Sequence, residues 1–186
     1  YNPLGMYSTG FKPRNRFQPE CMVPTETEKH FRRQTTQGDV HDEGASMFGG
    51  VAGHAGLFSN AYDLSLLYQM LLNGGELNGK RYLKPETIRL FTGYGSKVSR
   101  RGLGFDKPEK DNTTRKEPYP SRLASAQTFG HTGFTGTCVW VDPAADLVYI
   151  FLSNRVYPTR NNNKLSQMLI RGKIQDAIYK ALDVDE

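Results

Sequence analysis

The stretch FGHTGFTGTCVWVDP, Phe129 to Pro143, limits the fold of this chain more than any other. Its first half is crowded with small residues, Gly130, Gly133 and Gly136 among threonines, with a single histidine at His131. Its second half is an apolar run, Thr137 to Val141, in which Cys138 and Trp140 fall on one face, as in a strand packed on a core. A glycine at 133 leaves no side chain to keep a ligand from the backbone. Thr132 and Thr135 offer hydroxyls, and histidine is the side chain suited to proton exchange near neutral pH. A backbone N–H at a strand edge can also point at a developing oxyanion. The plainer reading of the same residues is a glycine-rich turn entering a strand, with a surface histidine.

Around this stretch the periodicity is uneven. Residues 1 to 45 carry breakers at Pro3, Gly5, Gly10 and Pro13, which predicts turns and extended chain that must pack on something else. Gly49, Gly50, Gly53 and Gly56 form a loop. Ser59 or Asn60 then caps a helix whose face is Leu64, Leu67, Tyr68, Leu71 and Leu72, with Asp63 at its positive end and Asn73-Gly74-Gly75 as its stop. NGKRYL reads as a turn, and Pro85 opens a short helix to Phe91. RGLGF at 101 to 105 reads as a short strand, and 107 to 122 has the composition of a mobile surface loop. Asp142 to Asp146 joins the Thr137–Val141 strand to a second, Leu147 to Ser153. One helix from about Asn163 to Leu182 closes the chain, with Gly172 as its weak point.

Length and charge exclude several classes. A chain of 186 residues with 37% hydrophobic and 11% aromatic residues is long enough for one globular core. No run reaches the roughly 18 apolar residues of a membrane span. The net charge of +5 is scattered in short clusters such as Arg32-Arg33 and Arg100-Arg101, a solvated surface rather than a nucleic-acid footprint. Cys21 and Cys138 lack metal-ligand spacing, and Cys138 sits in the strand as a small hydrophobe. His41, Asp42, Glu43 and His54 are ligand types without a paired spacing, so no metal and no cofactor is expected. Tyr68, Tyr149 and Phe151 have core-like spacing, and Trp140 is expected to pack against a helix. A chain that starts at Tyr1, without initiator methionine or signal peptide, reads as cut from something longer.

GHTGFTGT, an apolar strand, DP, a second apolar strand, NR and a terminal helix follow in that order. Before them stand PLGM (3–6), TGF (9–11), GGVAGHAGLFS (49–59), LNGG, GKRYL and RGLGFD. In order and spacing the chain resembles the serine β-lactamase and penicillin-binding-protein superfamily, in its class C-like esterase branch. The resemblance implies an α+β fold of the three-layer type, an antiparallel sheet flanked by helices. The chain would be the C-terminal part of one such domain, with 1–122 loop-rich and helical and 123–186 carrying sheet strands and the last helix. It further implies that His131, Thr132 and Gly133 take the place of the Lys-Thr-Gly element on an edge strand. The backbone N–H of Phe134 would be an oxyanion-hole donor, and His54 would lie near substrate.

The same family needs a serine followed three residues on by lysine, so that one helical turn brings amine and hydroxyl together. None of the ten serines here has lysine at that spacing, and YGS (94–96) and YPS (119–121) are weak echoes of the family's tyrosine element. The resemblance therefore implies a piece of a hydrolase that cleaves an ester, amide or β-lactam through an acyl-serine intermediate, acting on an acyl small molecule or peptidoglycan-like substrate. The piece alone would be inactive. It would expose apolar edges meant for a missing N-terminal part of the domain, or self-associate to cover them. Periplasmic or extracellular placement follows from resemblance only. The competing reading is a non-catalytic module of the same fold that binds a cell-wall peptide or protein partner.

Overall fold

The computed structural model describes residues 1–182. The elements, in chain order, are β1 (Gly10–Phe11), β2 (Pro24–Thr27), β3 (Thr35–Gln37), α1 (Glu43–Met47), β4 (Leu57–Phe58), α2 (Ala61–Leu72), β5 (Glu76–Leu77), β6 (Lys80–Arg81), α3 (Pro85–Thr92), β7 (Phe129–Thr132), β8 (Cys138–Asp142), β9 (Leu147–Phe151), α4 (Lys164–Gln167) and α5 (Ile170–Leu182).

The core forms where the apolar run predicts it. β7, β8 and β9 make an antiparallel sheet in that order, with β8 central and buried along its length. Its two faces serve two layers. Val141 and Phe129 meet Met70, Leu71, Leu77 and Ile88 from the α2 side. Cys138, Trp140 and Tyr149 form the other face, with Tyr119, Phe151 and Ile178 against them. Tyr179 of α5 donates to the buried Asp142 at 2.6 Å, and Tyr149 donates to the Arg171 carbonyl at 3.2 Å, so α5 is tied down by hydroxyls at the rim of its apolar contact. The result is the helix–sheet–helix layering and mixed α+β class expected from the sequence. No helix among the described residues is long and apolar enough to cross a membrane.

α2 begins where Asn60 accepts the Asp63 N–H at 2.8 Å, which selects Asn60 over Ser59 as the cap. The Asp63 carboxylate takes the Ser8 N–H and the Thr9 hydroxyl, each at 2.8 Å, and so binds the PLGMYST segment to the first turn of α2. β5 and β6 are joined through Asn78 and Gly79, both at positive φ, the turn chemistry NG is made for.

Four expectations change. Residues 101 to 105 form no strand; only Asp106 bridges, to Gly130. Residues 107 to 122 are packed rather than a loose surface loop. Lys107, Asn112 and Ser121 are buried, and Asn112 braces the segment from both sides, accepting from the Tyr119 N–H and donating to the Ser121 carbonyl, each at 2.7 Å. The closing helix is two helices, parted at Leu169, whose φ of 53° lies in the left-handed region. Gly172 is no weakness of α5: a Cβ there would lie 2.4 Å from the Pro120 carbonyl oxygen, so glycine is what lets the helix reach that loop. Within the first 45 residues, β2 and β3 pair across a bulge, and Glu28 shapes their loop by accepting backbone N–H groups from residues 30 to 33.

Candidate active-site wall

β7 is an edge strand. On its outer side Asp106 exchanges both backbone hydrogen bonds with Gly130, at 2.7 and 3.0 Å, and no strand among the described residues pairs beyond that point. His131 and Thr132 thus end a strand whose outer edge is open. A Cβ on Gly130 would fall 2.0 Å from the Val139 carbonyl oxygen, so a glycine is required for β7 to seat against β8 at all.

The chain then turns. Gly133 N–H bonds to the Thr137 carbonyl at 2.8 Å and Gly136 N–H to the Gly133 carbonyl at 3.0 Å, with Gly136 at φ 106°. A four-residue turn closed in this way uses the N–H of its last residue and leaves the N–H groups of its two central residues unspent. Those are Phe134 and Thr135, and neither N–H makes a hydrogen bond among the described residues. The Phe134 ring is exposed, stacked on His41 at 5.6 Å between centroids and overlain by the Arg155 guanidinium at 4.8 Å.

The partners of His131 fix its tautomer. Nδ1 lies 2.7 Å from the Thr132 carbonyl, which only accepts, and Nε2 lies 2.6 Å from Arg101 Nη1, which only donates. The ring is therefore the Nδ1–H form, with the Nε2 lone pair already engaged. Behind it, the buried Asp106 accepts a fork from Arg100 at 2.8 and 3.1 Å and the Tyr119 hydroxyl at 2.8 Å, while Arg101 Nε stands 3.5 Å away. Burial pushes the Asp106 carboxyl up, but the hydrogen bonds from Arg100 and Tyr119 outweigh it and hold the group below the ordinary range. Burial, with the charge of Asp106 adding to it, pushes the Tyr119 phenol up to about 12, so it stays a proton donor. The same phenol is 3.5 Å from the Thr132 hydroxyl, which links the wall to this polar layer.

The structure thus gathers His131, Thr132, Gly133 and Phe134 into one continuous surface. His54 makes no hydrogen bond to them among the described residues: its Nε2 pairs at 3.1 Å with Asp42 Oδ1, the oxygen that also caps α1 through the Ala45 N–H. His41 pairs instead with buried Glu26, at 2.7 Å. The described residues hold no group of three His, Cys, Asp or Glu arranged to take a metal ion. Sequence patterning did not single out Arg101, Arg155 or His41 as partners of this wall. The available signal was slight: Arg101 opens RGLGFD and Arg155 sits in the NR that follows β9.

A chain of this geometry is similar to several known proteins. The family model described as Beta-lactamase matches residues 1–170. Curated relatives from Escherichia coli K12 and Salmonella enteritidis, each named "Putative D-alanyl-D-alanine carboxypeptidase", are 36% and 35% identical over 96% of this chain. The chain spans 44% of the length of each. Among solved structures, a penicillin-binding-protein homologue from Caulobacter crescentus aligns with TM-score 0.53 and 20% identity over 82% of this chain and 44% of its own. A β-lactamase from Mycobacterium bovis aligns with TM-score 0.50 and 23% identity over 69% of this chain and 46% of its own. At these identities the two structures speak for the fold.

Proposed function

The chain belongs to the Beta-lactamase family, and from that premise we propose that it supplies the oxyanion donor and substrate-facing wall of a serine hydrolase. The single observation behind this is the unspent Phe134 N–H, held at the end of an open edge strand beside His131 and Thr132. In the reaction, a serine Oγ attacks the acyl carbon and the former carbonyl oxygen gathers negative charge. Phe134 N–H donates to that oxygen. The serine hydroxyl proton passes to the leaving amine or alkoxide as its bond to the acyl carbon breaks, and water then adds to the acyl carbon and returns a proton to serine as the ester bond breaks. Loss of one such donor costs about 2.7–4 kcal/mol of barrier. The nucleophile with its Ser-x-x-Lys spacing is not among these 186 residues.

Thr132 offers its hydroxyl to the substrate, supported by Tyr119. His131 contributes less as a base than as a mount, because Arg101 occupies its Nε2. What faces outward is the half-exposed Arg101 guanidinium, a permanent cation suited to an acidic substrate group. Together with the carboxypeptidase name carried by the relatives, this favours a peptide ending in a free carboxylate over a neutral ester.

The test is to express the full-length product of the gene and measure fluorescent-penicillin labelling and D-alanine release from an acyl-D-Ala-D-Ala peptide. Covalent labelling at a Ser-x-x-Lys serine, and none on the 186-residue chain alone, is the expected result. A full-length product that binds the peptide without labelling or release would replace the enzyme with the non-catalytic binding module.

A further inference from the structure

The proposed donor sits at the tip of a hairpin, which is an awkward place for it. Tips are the least restrained parts of a sheet, whereas an oxyanion donor must stand about 2.7–3.1 Å from a defined point to be effective. Something outside the hairpin has to hold the tip, and Arg155 is placed to do so. Its backbone N–H bonds to the Thr135 carbonyl at 3.0 Å and its Nε to the Phe134 carbonyl at 2.9 Å, so both central carbonyls of the turn end on one residue. The guanidinium lies over the Phe134 ring, and its Nη1 is anchored in turn to the Arg160 and Asn162 carbonyls at 3.2 and 3.0 Å.

The ring has a second support. His41 stacks on it with planes 20° apart, and His41 Nε2 is fixed by Glu26. Glu26 is a buried carboxylate pinned by the Arg160 backbone N–H at 2.7 Å and by Arg160 Nε at 2.8 Å. Burial pushes its carboxyl up, but His41 and Arg160 outweigh that and keep it low, so it remains an acceptor for both.

From this geometry we infer that Arg155 is the positioning residue for the Phe134 N–H, with His41 on Glu26 as its buttress. The inference rests on the reading of that N–H as the oxyanion donor. Arg155 and His41 hold the Cα end of Phe134 through its carbonyl and its ring, and the Gly136 N–H bond to the Gly133 carbonyl holds the peptide plane that carries the Phe134 N–H; with both ends of the N–Cα bond held, φ and the N–H direction are set. A lysine at 155 could reach the Phe134 carbonyl, but its single ammonium cannot reproduce the planar fork that reaches both the tip and its anchor.

The experiment uses the full-length gene product with Arg155→Ala, Arg155→Lys and His41→Ala. It reads the amide order parameters of Phe134 and Thr135, and fluorescent-penicillin kinetics that separate pre-acylation binding from the acylation rate. Arg155→Ala is expected to take both order parameters from a rigid value of about 0.85 to below about 0.6. It should slow acylation on the order of 100-fold with binding kept within about twofold. Arg155→Lys should recover part of the rate, and His41→Ala should lose less than Arg155→Ala. Unchanged order parameters, or rate and binding falling together, would overturn the assignment. Should Arg155→Ala fail to fold, Arg155→Lys and His41→Ala decide on the same readouts. A wild type that takes no acyl group sinks the hydrolase reading, while the order parameters still decide whether Arg155 holds the tip.

Discussion

Between Phe129 and Leu182 most of the interior is apolar: Phe129, Trp140, Val141 and Tyr149 are buried in the two clusters that face α2 and α5, and the buried polar side chains there are Asp142 and Gln175. Between Tyr1 and Phe58 the buried apolar side chains reduce to Met6, Pro13, Met22, Val40 and Ala45, while Thr9, Thr25, Glu26, Glu28 and Thr36 are buried beside them. This earlier half is fastened by directed polar links, Asp63 to Ser8 and Thr9, and Arg160 to Glu26. Nondirectional packing tolerates some imprecision, whereas each polar link fails if one partner is removed and the other stays buried. The proposed active-site wall lies where the two regions meet: His131 and Thr132 belong to the apolar sheet, and His41 reaches Phe134 from the polar region.

Changes on either side should break this contrast to different degrees. Trp140→Ala, in the middle of the sheet, is expected to cost about 3–5 kcal/mol in a urea titration. Gly172→Ala comes next and is a test of sign. Helix propensity alone favours alanine by roughly 1 kcal/mol, but the 2.4 Å approach of the new Cβ to the Pro120 carbonyl should instead destabilise by about 1–3 kcal/mol. Asp63→Ala leaves the Ser8 N–H without an acceptor and the Thr9 hydroxyl with only Ser59 Oγ, 2.7 Å away. It should cost about 1–3 kcal/mol and open the segment before β1 to limited proteolysis while the sheet stays protected.

The last effect, confined to acid pH, belongs to Glu28. Burial raises its pKa, but four backbone N–H groups overcome this and bring it from 4.5 to about 2. The folded state therefore binds its proton more weakly than the unfolded chain does. The stabilisation is complete above pH 4.5 and fades as pH falls toward 2. Glu28→Gln should flatten the decline of the urea midpoint over that interval, and a slope identical to wild type would remove Glu28 as its source.

The same contrast decides what the sequence discloses. α2, β8 and β9 announce themselves because their burial is apolar and periodic. β2 and β3 do not: their inward residues are threonine and glutamate, and their pairing shifts register at a bulge. β7 carries no strand signal, because FGHT has a glycine at the one place where β8 needs room, and only the family resemblance puts His131 on an edge strand. The break at Leu169 is equally silent, since a leucine gives no warning of a left-handed φ. Of the wall, the residues present their chemistry locally, but Arg101, Arg155 and His41 come from 30, 21 and 93 positions away along the chain (131 − 101, 155 − 134 and 134 − 41). No local pattern encodes such meetings.

The link from Arg160 to Glu26 closes a loop of 134 residues. At ribosomal speeds of about 5–20 residues per second, Glu26 waits roughly 7–27 s for its partner to be made. Through that interval the hairpin of β2 and β3 has neither Arg160 nor the Pro158 carbonyl that receives the Thr27 N–H. The segment that supports the proposed oxyanion donor thus waits far longer for its partner than the sheet does, and it is where a helper that shields nascent chains would have the most time to act.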